Sequence, residues 1–265
     1  MSKAVESQLR RKPAVAGKVS IGGAAVRFLA LAGLAWVFFA AGSITDPTIA
    51  RLAKRVAAGE NYDAQLLRHF IEANTPTPRQ SCNPTVLRHL LILQLSVADA
   101  STHTADIQLA DADTAALGSI SQTLLTCSPA DSFAWLSQYW HETRTKGFGP
   151  AAITFIDNSF RYAPHEGWIQ IVRAPMAFMA FDALTPALKR AALNDFIDIF
   201  DANLFATSAI FYKNAPASVR RLLLDELCAK DEEARKIFKA RLEDLDLTVR
   251  HPCFQDDRPS FRPLL

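Results

Sequence analysis

The chain has no Gly-x-Ser-x-Gly elbow, no glycine-rich phosphate loop and no His-Glu-x-x-His, so the motif-borne forms of serine hydrolysis, phosphate binding and zinc proteolysis are missing. Its four cysteines form no Cys-x-x-Cys pair and no histidine spacing completes a zinc site, so no metal, redox centre or other cofactor is expected. An excess of one charge is absent as well. Lys and Arg number 29 against 27 Asp and Glu, for a formal charge of +2. Without a basic stripe carrying interleaved aromatics, nucleic acid is not an expected partner. Between residues 46 and 125 nothing alternates with period two for long enough to predict a sheet.

What is present is one long apolar run near the start and helical patterning after it. From Phe28 to Ile44 no charge interrupts the sequence. A helix extended back to Ile21, rising about 1.5 Å per residue, would cross a hydrocarbon core of roughly 30 Å. Lys3, Arg10, Arg11, Lys12 and Lys18 precede the run, and Arg27 lies close enough to its start to snorkel. The shorter set Arg51, Lys54 and Arg55 follows it, with Asp46 ahead of them. This bias predicts a cytoplasmic N-terminus and an exported remainder, anchored in a bacterial inner membrane with its main domain in the periplasm. A cleaved secretory signal is the competing reading, because small residues occupy Ala40 to Ser43. Both readings export the same domain. The expected organisation is a basic cytoplasmic tail over 1–20, a transmembrane helix over 21–45, a helical domain over 46–245 and an irregular tail over 246–265.

Cys82, Cys127, Cys228 and Cys253 all fall on the exported side, where an even count points to bridges. Cys82 and Cys127 each precede a proline-marked helix start, and Cys228 and Cys253 bracket the last charged helix. The preferred pairing is Cys82 with Cys127 and Cys228 with Cys253. Four cysteines permit three connectivities, and free buried thiols remain the alternative.

Asp46-Pro47 and Gly59 delimit a helix over 47–58, and Leu66, Leu67, Phe70 and Ile71 mark one face of another over 62–74. Prolines at 76 and 78 stop it. Asn83-Pro84 restarts a helix along Val86, Leu87, Leu90, Leu91 and Leu95, and a further helix is predicted over 111–125. Downstream, Thr185-Pro186 opens a helix through Phe200, a short one covers 203–212, and Ala215-Pro216 leads into Val219, Leu222, Leu223 and Leu227. The segment 231–245 is acidic at its start and basic further along, as a helix dipole favours.

The passage 128–173 is the most informative. Pro129 and Pro164 lie thirty-five residues apart, with Phe133 and Trp168 at equal offsets from them. A helix, a break at Gly147 to Gly149 and a second helix over 151–162 complete a unit, and the next unit begins the same way. A period near 34 is that of the tetratricopeptide repeat. With Trp135 at the repeat's aromatic position, Ala151 and Phe155 fall near the small and aromatic positions of its second helix. Ser137, Gln138 and the Tyr139-Trp140 pair depart from the pattern expected in its first helix. The expected fold class is therefore all-α, a TPR-like stack of α-α hairpins behind a single transmembrane helix. The apolar segment, the SPADSFAWL opening, the APHEGWIQI restart and the helical C-terminal part together resemble membrane-anchored, tetratricopeptide-like accessory proteins of bacterial exopolysaccharide biosynthesis clusters, of VpsP-like type. That resemblance implies an accessory role in synthesis or export of a cell-surface polysaccharide. It brings no catalytic residues.

Adjacent residues on a helix cannot share a face, so one of Tyr139 and Trp140 is a candidate for an exposed stacking surface. With His141 and Trp168 they form the candidate binding set, while most of the surrounding aromatics are expected to be repeat core. His141-Glu142 and His165-Glu166 offer acid and base groups, though such pairs at helix ends are more often caps and surface pairs. Two functional readings follow. One is a membrane-tethered scaffold binding envelope or polysaccharide assembly proteins and not itself an enzyme. The other is a polysaccharide-binding or polysaccharide-modifying enzyme on an all-helical frame, requiring two carboxylates about 5 to 10 Å apart across an aromatic-lined cleft.

Overall fold

A computed structural model describes residues 47–75 and 82–254. The predicted tail 1–20 and transmembrane segment 21–45 lie outside the described residues, as do 76–81 and 255–265. Among the described residues no helix is long and apolar enough to cross a membrane.

Eleven α-helices and no strands make up the described chain. They are α1 Pro47–Ala57, α2 Ala64–Asn74, α3 Pro84–Ser101, α4 Ile107–Cys127, α5 Ser132–Lys146, α6 Pro150–Tyr162, α7 Gly167–Met179, α8 Pro186–Asp201, α9 Phe205–Asn214, α10 Ala217–Leu227 and α11 Glu232–Glu243. Short 3-10 turns occupy Phe181–Ala183 and Pro252–Phe254. The all-α expectation therefore holds.

Most starts are fixed by side chains that satisfy backbone N–H groups having no partner within the helix. Asp63, Asn83, Asp106, Asp131, Thr185 and Asp231 each accept a hydrogen bond from an N–H of the first turn. Pro84, Pro150 and Pro186 stand in first turns, where the missing N–H costs nothing. α4 begins at Ile107, four residues before the expected start at 111. Asp106 caps Leu109 N–H at 3.0 Å, and Ile107 points to solvent, so the opening turn carries no apolar period. After α11 the described chain runs without helix or strand to a 3-10 turn at Pro252–Phe254, where Phe254 is buried in the core.

Helices α1 and α2 pack on α3, α3 on α4, α4 on α5 and α5 on α6. Beyond α6, α7 packs on α8, while α9 bridges α8 and α11. Phe238 of α11 is fully buried and meets Phe196, Phe200, Tyr212 and Phe254 at ring-centroid distances of 5.7 to 6.3 Å, forming an aromatic centre for this end. Both preferred disulfides are present. Cys82–Cys127 joins the approach to α3 to the last residue of α4, with Cα atoms 5.4 Å apart. Cys228–Cys253 ties the end of α10 to the C-terminal 3-10 turn, with Cα atoms 5.5 Å apart.

Charged side chains lock neighbouring helices together. Arg68 of α2 grips Asp113 of α4 through Nε and Nη2, both at 2.9 Å, and Arg88 of α3 reaches Asp131, the cap of α5, at 2.8 Å from Nε. Arg173 of α7 is completely buried. It donates to both Asp195 oxygens at 2.8 and 2.9 Å, to Ser159 O at 2.8 Å and to Ala163 O at 3.0 Å, and it lies 4.2 Å above the Phe160 ring. One guanidinium thus satisfies carbonyls at the end of α6 while neutralising a carboxylate on α8.

Candidate docking face on α7

Tyr139, Trp140 and His141 follow one another on α5 and therefore point in three directions, about 100° apart. Tyr139 is buried, 5% exposed, and its hydroxyl donates to Met176 O on α7 at 3.2 Å. That carbonyl lies in the last turn of α7, where no intrahelical N–H is available. Burial pushes the Tyr139 phenol up to about 12. Trp140 is half-buried beneath the Arg144 guanidinium, 5.3 Å from its ring. His141 turns to α4, with Nδ1 3.0 Å from Thr114 O and its ring over Gly118. The candidate set is consequently not one site: Tyr139 and Trp168 belong to the α7 side, and Trp140 and His141 do not.

Trp168, the second residue of α7, meets the Phe133 ring with centroids 5.3 Å apart, so the two residues at equal offsets in the sequence pack on each other. Trp135 and Phe155 stack at 5.9 Å between α5 and α6. Much of the aromatic set is therefore helix-to-helix packing. Trp168 nonetheless keeps 42% of its surface exposed, and Ile171 and Met179 keep 38% and 73%. Positions 168, 171, 175 and 179 are spaced by three, four and four, which puts Trp168, Ile171, the partly buried Pro175 and Met179 on one face of α7. The face is apolar along its length, roughly 16 Å at 1.5 Å per residue.

At its C-terminal end the stripe runs into an open groove of about 430 Å³, whose lining includes Tyr139, Thr143, Phe148, Met179, Asp182 and Pro216. Phe148 meets the Tyr139 ring edge-on at 6.5 Å. Asp182 is exposed and is the only carboxylate among the described lining residues.

The His-Glu pairs lie elsewhere and are separately engaged. Glu142 accepts from Lys146 at 3.1 Å, and His165 Nδ1 lies 3.0 Å from an Asp198 oxygen that also accepts from Gln170 at 2.7 Å. Glu166 is the α7 N-cap residue but makes no side-chain cap bond. One group with metal-ligand chemistry comes together among the described residues: Cys228, His251 and Cys253. Sequence spacing missed it, since the fold joins residues more than twenty positions apart; its only local trace is His251 standing two residues before Cys253. Of the exposed α7 stripe only Trp168 was named from the sequence, since Ile171, Pro175 and Met179 share its face only once 167–179 is helical. No protein-family model, curated protein or solved structure matches the chain.

Proposed function

We propose that this chain is a membrane-tethered, extracytoplasmic helical adaptor of TPR-like build that serves a cell-envelope assembly, with exopolysaccharide synthesis or export as the process it assists. The observation carrying the reading is the apolar stripe of α7 continuous with the Met179 groove. Exposed apolar surface organised along a helix fits a protein partner better than a solvated face. Helix starts at Ser132 and Gly167 repeat the thirty-five-residue spacing of the prolines, which supports stacked hairpins as the frame. The occupant is a partner segment with a bulky apolar side chain for the groove and a neighbouring Lys or Arg for Asp182. Tethering through residues 21–45 would raise its effective concentration at the membrane. The polysaccharide-enzyme alternative is less well supported at this groove, because its described lining residues supply one carboxylate where glycoside cleavage uses two.

The test is a photoreactive residue at position 179 of the full chain in its native membrane, with one at Ile107, an exposed residue on α4, as control. The expected result is a crosslink from 179 to an envelope assembly protein, through a peptide in which an apolar residue adjoins Lys or Arg. Equal crosslinking from 107, or a C-terminal reporter facing the cytoplasm, contradicts the reading.

A further inference from the structure

Cys228 and Cys253 do more than staple the C-terminus. His251 Nδ1 sits 3.2 Å from Cys253 Sγ and 3.6 Å from Cys228 Sγ, while Nε2 lies 2.9 Å from Asp225 Oδ1. A carboxylate only accepts, so Nε2–H donates to Asp225, and Nδ1 is the ring nitrogen that faces both sulfurs. The position of the ring is held from several sides. Phe254 N–H donates to His251 O at 3.0 Å, the buried Phe254 ring meets the imidazole edge-on, and Arg235 Nη1 donates to Cys253 O at 3.0 Å.

In a tetrahedral zinc centre with Zn–S of about 2.3 Å and Zn–N of about 2.0 Å, neighbouring S and N ligands are about 3.5 Å apart and two sulfurs about 3.8 Å apart. The imidazole already stands at the first distance from both sulfurs. Only the sulfurs must separate, by less than about 2 Å from bonding distance. We infer that reduction of the Cys228–Cys253 bond creates a three-ligand site for Zn²⁺ made of the two thiolates and His251 Nδ1, with Asp225 as the carboxylate that fixes the imidazole.

The chemistry balances with a dithiol as reductant. It delivers two electrons and two protons to the S–S bond, which breaks to two thiols, and leaves as its own disulfide. Zn²⁺ then displaces both thiol protons to solvent, forms two Zn–S bonds and one Zn–N bond, and takes water in the fourth position. The site is independent of the α7 docking face.

Full chain in detergent micelles, reduced anaerobically with a dithiol that is then removed, can be titrated with Co²⁺ as a spectroscopic probe. The expected result is thiolate-to-metal charge-transfer absorption saturating at about one equivalent per chain. It should be absent from the oxidised chain, lost in His251→Ala and retained when Cys82 and Cys127 are both replaced by Ser. Asp225 is about half exposed and outside the core, so Asp225→Asn keeps the fold and should weaken binding by about 10-fold. No absorption in the reduced chain, absorption undiminished in His251→Ala, unchanged affinity in Asp225→Asn, or loss only on replacing Cys82 and Cys127 would each overturn the assignment.

Discussion

At the scale of single residues, the buried Arg173–Asp195 pair has the highest stakes. Burial raises the Asp195 carboxyl and Arg173 opposes that rise, so neither group is comfortable without the other. Asp195→Asn leaves the guanidinium charged, dry and facing a neutral amide. A stability loss of about 3 to 5 kcal/mol is expected in urea unfolding. Tyr139 gives a pH signature. Its phenol titrates near 12 in the fold and near 10.0 in the unfolded chain, so the native state holds a proton that the unfolded state has released. Stability from this group is complete below pH 10 and drains away as pH rises to about 12, by about 3 kcal/mol in all. Burial raises the Tyr62 and Tyr212 phenols as well, so an ultraviolet titration should show a component near pH 12 that Tyr139→Phe removes while later-than-usual ionisation of the other two persists. The cysteine pairing was legible because each pair brackets helical segments in chain order. Arg173 was not: a charge in the run Gly167–Met179 reads as solvent-facing, and only the convergence of α6 and α8 reveals that its partners are carbonyls and a carboxylate.

At the scale of elements, helix positions were legible where an Asn or Thr cap stood directly before a first-turn proline, as at Asn83-Pro84 and Thr185-Pro186. The start of α4 was not, because its first turn is exposed and aperiodic. Contacts between elements depend on small residues whose role is invisible in the chain. A Cβ at Gly118 would lie 2.7 Å from His141 Cε1, so α4 approaches α5 there only because glycine leaves room. Gly118→Ala should cost about 1 to 3 kcal/mol through this clash, read as a lowered midpoint in thermal unfolding. On α7, Pro175 supplies no N–H for Ile171 O, a loss tolerated where Ile171 meets solvent. In the last turn of the same helix the Tyr139 hydroxyl fills the vacancy at Met176 O. The helix that carries this apolar stripe is thus also held from behind by Arg173 and Tyr139. Such backing suits a rigid docking face.

Across the whole molecule, two disulfides close loops with sequence separations of 45 and 25 residues, one at each end of the described chain. Loop-closure entropy assigns them about 3 to 4 kcal/mol apiece. Calorimetry of the full chain should therefore show two separable losses when Cys82–Cys127 and Cys228–Cys253 are removed singly. The all-helical build and the two cysteine pairings were readable from the sequence because capping residues, first-turn prolines and the helices that the cysteines flank are local features of the chain. The α7 stripe and the Cys228–His251–Cys253 cluster were not, since both arise from tertiary approach. Whether that stripe is covered in the cell can be measured directly by methionine oxidation. Met179 is 73% exposed and so oxidises readily in the purified chain, whereas Met176, partly buried on the same helix, serves as an internal reference. In native membranes the expected result is selective protection of Met179, abolished when Ile171 is replaced by Glu. Equal oxidation of Met179 in membranes and in the purified chain would contradict an adaptor that docks through α7.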